Sequence, residues 1–146
     1  RIVCLVAAWG EAAVRAAEAN NEITGPSAAL TSLNQVRQRA GLAALTAASP
    51  QAATKQTMRA EIDRQRRLEL AFEGERWWDL TRYARHTIAD PSATHPVTAL
   101  DLIATQHSTG TAPNIVPGPR DPNYLIFPIP QGELNTNPLV TQNPGY

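Results

Sequence analysis

Glu69 and Glu73 stand four residues apart in the run ELAFEGERWWDLTRYA, Glu69 to Ala84. The same run holds Glu75 and Asp79, the arginines Arg76 and Arg82, and the pair Trp77-Trp78. Carboxylates at i and i+4 share a helix face. A pair of that kind could serve glycoside hydrolysis if it were held about 5–10 Å apart across a bound sugar. The surrounding charges argue for a different use. Glu73 can reach Arg76, Arg66 can reach Glu69, Arg76 and Arg82 each lie one turn from Asp79, and Glu75 has Arg82 two turns on. The pattern predicts acids neutralised by local arginines rather than an acid and a base facing substrate.

Glu69 falls seven residues after Ile62 and three before Phe72, within an apolar stripe. A carboxylate placed there is partly buried and needs a cationic partner. Arg37 occupies the equivalent place on an earlier helix, four after Leu33 and three before Ala40. The expectation is an inter-helix Arg37–Glu69 ion pair, with Arg76 as the alternative partner. Adjacent tryptophans on a helix point about 100° apart. Trp77 aligns with Leu80 and Ala84 and is expected in the core. Trp78 lies one turn from Arg82, against which it could stack, and as an exposed indole it is the one candidate for contact with a sugar ligand.

Other clusters yield blander readings. The run RQRR, Arg64 to Arg67, is spread around a helix and flanked by Glu61, Asp63 and Glu69, so it reads as a salt-bridged face rather than a nucleic-acid patch. His86, His95 and His107 are separated in sequence and lack ligand spacing to Cys or Glu, which predicts no metal site. There is no glycine-rich phosphate loop, nucleophile elbow or HExxH helix, so neither catalysis nor a cofactor is expected.

These residues must be positioned by helices. Residues 2 to about 22 repeat Val3, Val6, Ala7, Gly10, Val14 and Ala17 at three- and four-residue spacing, predicting a helix with a small-residue face. Thr24-Gly25-Pro26 ends it and starts a second helix, about 26 to 40, with Leu30, Leu33, Val36 and Ala40 inward and Gly41 at its end. Ser49-Pro50 predicts the start of a third helix running to about Phe72, with a stripe of Met58, Ile62, Leu68 and Phe72. Gly74 marks a joint before a fourth helix, Glu75 to about Arg85. Residues 86–123 read as a long excursion with one short apolar run at Ala99–Ala104. In residues 124–146, Tyr124 to Ile129 could be a short extended piece that Pro128 and Pro130 keep out of a central strand. Gln131 to Asn135 could form one helical turn within this irregular C-terminal strap.

With 146 residues and zero net charge, the chain has the size of one domain and no electrostatic case for nucleic acid or an anionic membrane. All but one of its 13 basic residues are Arg, Lys55 being the exception, which favours fixed bidentate pairing. The lone Cys4 reads as a small hydrophobe, without the apolar run that lipidation at that position would require. No apolar run approaches the roughly 20 residues of a membrane span. A start on Arg1 with a helix already under way reads as a piece of something longer.

Three segments in order resemble one family. LNQVRQRAGL (Leu33 to Leu42), EIDRQRRLELAFEGERWWDLTRYA (Glu61 to Ala84) and FPIPQGELNTNPLVTQNPGY (Phe127 to Tyr146) are together similar to the C-terminal part of the SusD/RagB outer-membrane nutrient-binding lipoproteins. Gln65 stands where that pattern usually has an acid, and of the first helix only Ala17 to Glu22 aligns comfortably. The resemblance implies an all-α fold of TPR-like helix pairs, with a long irregular loop at 86–123 and the C-terminal strap, as the C-terminal part of one SusD-like domain ending at Tyr146. It marks Arg37, Glu69, Glu73, Arg76, Trp77, Asp79 and Arg82 as a structural signature. It further implies a surface-exposed protein of the outer membrane that captures glycans or peptides without catalysis. Its partner would be a TonB-dependent, SusC-like transporter, and its lipid anchor and much of its ligand site would lie N-terminal to this chain. The alternatives are a helical-repeat scaffold for protein contacts and, more remotely, a glycosidase using Glu69 and Glu73.

Overall fold

A computed structural model describes residues 2–106, 108–111, 118 and 120–146, with side chains from Trp9 onward. The expectations for Cys4, Val3, Val6, Ala7 and His107 therefore fall outside what is described. The fold is all-α and TPR-like, and no strand occurs among the described residues. Its helices are α1 (Ile2–Ile23), α2 (Pro26–Arg39), α3 (Lys55–Glu69), α4 (Arg76–Ala89), α5 (Ala99–Gln106) and α6 (Gln131–Thr136), with 3-10 turns at Pro50–Ala52 and Pro122–Leu125.

The first three helices share an apolar core. Val14 and Ala17 of α1, Ala29, Leu33 and Val36 of α2, and Met58 and Ile62 of α3 are buried together, with Leu30 and Leu45 packed against them. The small residues of α1 let α3 come close. A side chain at Gly10 would collide with the Glu69 carboxylate, so glycine there is what admits Glu69 to the surface of α1. The far end of α1 is pinned to the start of α3. Arg59 holds Glu22 through 2.6 and 2.7 Å bonds, Asn21 donates to the Lys55 carbonyl, and the Lys55 ammonium donates to the Glu22 carbonyl. The Arg59 hydrogen bond keeps the Glu22 carboxyl below the usual carboxylate range against the opposing effect of burial.

The third helix departs from its predicted course at both ends. Ser49-Pro50 opens a 3-10 turn only; Thr54 caps α3, its hydroxyl accepting from the Thr57 amide. The helix stops at Glu69, and Phe72 and Gly74 both adopt positive φ, 69° and 81°, in the joint that follows. Phe72 is consequently thrown fully into solvent, and Leu68 is 57% exposed, so neither belongs to the core stripe. The fourth helix starts one residue later than predicted and runs on to Ala89.

A second, smaller core lies beyond the joint. Leu80 and Ala84 of α4, Ala99 and Ile103 of α5, and Leu125 of the strap are buried together, with Trp77 and Tyr124 packed against them. Residues 99–106, in the stretch read as an excursion, therefore form a short helix capped by the Thr98–Asp101 bonds. The strap behaves as predicted at Gln131–Thr136, whereas Tyr124 and Leu125 lie in a 3-10 turn and not in an extended piece. Its ending folds back on itself. Gln142 brackets the Ile129 backbone from both sides (2.8 and 3.0 Å), Asn143 donates to the Phe127 carbonyl and the Tyr146 hydroxyl to the Ile126 carbonyl.

Candidate ligand site

Between the two cores runs a seam of charge. Arg66 of α3 donates from Nε to Asp79 of α4 at 2.7 Å, with both side chains nearly fully buried. Arg76 pairs with Asp63, and Arg82 reaches both Glu18 of α1 and, at 3.4 Å, Asp79. Tyr83, 1% exposed, lies among these groups, and burial pushes its hydroxyl well above the ordinary tyrosine range. The helices meet here through guanidinium–carboxylate bonds, which hold α4 at a fixed rotation.

Of the predicted signature residues, Arg82 reaches Asp79 as expected, Arg37, Glu69 and Arg76 take other partners, and Glu73 takes none among the described residues. Glu69 does bond a guanidinium of α2, but that of Arg39, whose Cζ also lies 5.9 Å from the Trp9 ring centroid. Arg37, two residues before Arg39 and so on nearly the opposite side of α2, turns instead to Glu61 (2.5 Å) and to the Ala43 carbonyl. Arg76 takes Asp63, so neither predicted Glu69 partner is the real one. Glu61 is also bonded at 2.7 Å by Gln65, the residue that replaces an acid. Among the described residues Glu73 and Glu75 make no ion pair; Glu73 lies in the joint, so it shares no helix face with Glu69. Asn34 was given no role by the sequence, yet its amide bonds both backbone groups of Leu45 at 2.7 and 2.8 Å. An Asn between the inward Leu33 and Val36 is a polar residue beside a buried stripe, and that was the available signal.

His86 and His95 also meet, contrary to expectation, with Nδ1 and Nε2 3.1 Å apart. Asp90 and Ser92 make the turn that brings His95 back to stack on Tyr83 at 4.2 Å. Two imidazoles are short of a coordination shell, and no group of three metal-ligating side chains occurs among the described residues.

Trp77 and Trp78 diverge as their helical positions require. Trp77 is half-buried against the second core, and Trp78 is 62% exposed. Trp78 does not carry Arg82, whose guanidinium lies 4.8 Å from the Tyr83 ring centroid. It stands instead between two concavities. One, about 430 Å³, is lined by the charged seam, including Arg66, Glu75 and Arg82. The other is an aromatic slot of about 460 Å³ between α4 and the strap, formed by Trp77, Trp78, Arg85, Ile126 and Phe127 with Thr81, Arg82 and Leu125. Phe127 is 64% exposed and tilts 34° to Trp77 at 6.1 Å. The Gln142, Asn143 and Tyr146 bonds are what hold this part of the strap in place. A shallow site of this size, apolar with a few donors, suits a small ring-shaped ligand.

The sequence model of the SusD family matches residues 10–146, nearly the whole chain and all three recognised segments. The chain belongs to the SusD family. It is 30% identical over 145 residues to SusD-like protein P2 of Formosa agariphila, a match covering 94% of this chain and 25% of that protein. The chain thus spans about a quarter of the length of that relative. No solved structure matches it. Of this SusD-family chain, no helix among the described residues is long and apolar enough to cross a membrane.

Proposed function

We propose that this chain is part of a non-catalytic nutrient-binding protein. It would act at the outer face of the outer membrane, held there by a lipid anchor outside this chain, and pass glycans or peptides to a TonB-dependent, SusC-like transporter. The observation that carries the reading is the family match over residues 10–146. The side-chain arrangement supports it. Glu69, half of the carboxylate pair weighed for glycoside hydrolysis, is committed to Arg39, and Glu73 has left its helix face. Trp78 presents an open indole beside an aromatic slot, which is the surface a pyranose ring would use.

Isothermal titration of the protein against a panel of oligosaccharides and peptides tests this. Heat from at least one oligosaccharide or peptide, together with co-purification of the transporter, is expected. Heat from none of them would favour a scaffold for protein contacts. Product formation that vanishes in Glu69→Gln would restore the glycosidase reading.

A further inference from the structure

The slot beside Trp78 has an electrostatic character that a general sugar platform lacks. Its walls are aromatic and aliphatic, and its charged lining consists of two arginines with no acid. Arg82 is already committed to Glu18 and Asp79. Arg85 is different: it is exposed, and its side chain makes neither an ion pair nor a hydrogen bond among the described residues. A guanidinium fork without a carboxylate, set next to two open aromatic faces, is complementary to a ring that carries an anionic group.

We propose that the slot between α4 and the strap selects anionic sugars, with a pyranose lying against Trp78 and Phe127 and its carboxylate or sulfate held by Arg85. The proposal deepens the nutrient-binding reading and rests on it. The neighbouring concavity is the contrast within the same molecule. There Arg15, Arg66 and Arg82 are matched in number by Glu18, Glu75 and Asp79, so the lining is formally neutral and offers an anion no net attraction. The two sides of Trp78 therefore differ in net charge, one neutral and one basic, and an acidic residue of a bound chain is directed to the Phe127 side.

The test is titration of the protein with maltotetraose, tetragalacturonate, a sulfated carrageenan tetrasaccharide and an Asp/Glu-rich hexapeptide. The expected result is that an anionic sugar binds more tightly than maltotetraose, the two anionic arms separating carboxylate from sulfate. Arg85→Gln should weaken that sugar about tenfold and abolish the preference, the effect of one charged hydrogen-bonded contact. Trp78→Ala should weaken the anionic sugar by about tenfold or more through lost ring contact. Both side chains are exposed, so both variants should keep the wild-type far-ultraviolet circular dichroism. Maltotetraose binding as tightly as the anionic sugars, or anionic binding unchanged in Arg85→Gln, overturns the proposal and leaves nutrient binding standing. Binding of the peptide alone also overturns it. No binding by any probe removes the nutrient reading as well.

Discussion

The two faces of α3 are built on opposite principles. Toward α1 and α2 it presents Met58 and Ile62, both nearly inaccessible to water and packed on Val14, Leu33 and Val36. Toward α4 it presents Asp63 and Arg66, which are just as buried, but paired with Arg76 and Asp79. The apolar face gains stability from area removed from water, an effect without a required donor–acceptor direction. The charged face recovers desolvation only when each carboxylate meets its guanidinium in one geometry, so it contributes orientation more than net stability. The orientation matters because α4 carries Trp77, Trp78 and Arg85 to the slot.

The sharpest way to break this comparison is Asp79→Ala. It leaves the Arg66 guanidinium buried with no carboxylate, and the unfolding free energy in urea should fall by about 3–5 kcal/mol. The double change Arg66→Met/Asp79→Leu should recover most of that loss, because apolar residues of similar volume replace a buried ion pair at little cost. A double variant as unstable as the single one would show that the seam itself supplies net stability. On the other face, Leu33→Ala should cost about 2–5 kcal/mol by the same measurement, through lost transfer energy and the cavity left behind. The seam's loss is thus repairable by a compensating partner change, and the core's only by refilling its volume.

The contrast also explains what the sequence disclosed. The α1–α2 pair was legible because Leu33 and Val36 recur at helical spacing and Gly25-Pro26 punctuates the turn. Trp77 against Trp78 was legible because a 100° rotation separates neighbours on any helix. The partners in the seam were not. The third helix is buried on one side by apolar groups and on another by charged ones, and its exposed face includes Leu68. Hydropathy therefore misplaced its rotation: Asp63 and Arg66 looked exposed while Leu68 and Phe72 looked buried. Arg37 and Arg39 are two residues apart, and the stripe position that favoured Arg37 does not decide which of them meets Glu69 until α2 is docked. Phe127 entered the slot only through tertiary contacts of the strap, held by Gln142 and Asn143 some fifteen residues on. The His86–His95 contact likewise depends on a turn at Asp90 whose direction no periodicity encodes.

That histidine contact offers the mildest perturbation of the second region. His95 is stacked on Tyr83 and its pKa is pushed down to about 4, first by burial, then by His86 and Arg59, with Glu18 and Glu22 opposing. The folded protein therefore keeps His95 neutral in a range where the unfolded chain, titrating near 6.5, takes up a proton. The unfolded state binds more protons between those values, so this contribution is intact above about pH 6.5 and is lost progressively as pH falls toward 4. His95 is half-buried, so solvent screens it and the loss should be smaller than that from either single substitution above. Urea midpoints between pH 7 and pH 4 should show the decline, and His95→Gln should flatten it. A decline of equal slope in the variant would place its origin in the carboxylates of the seam, and the two regions would then differ in pH sensitivity because of their ion pairs and not because of this buried imidazole.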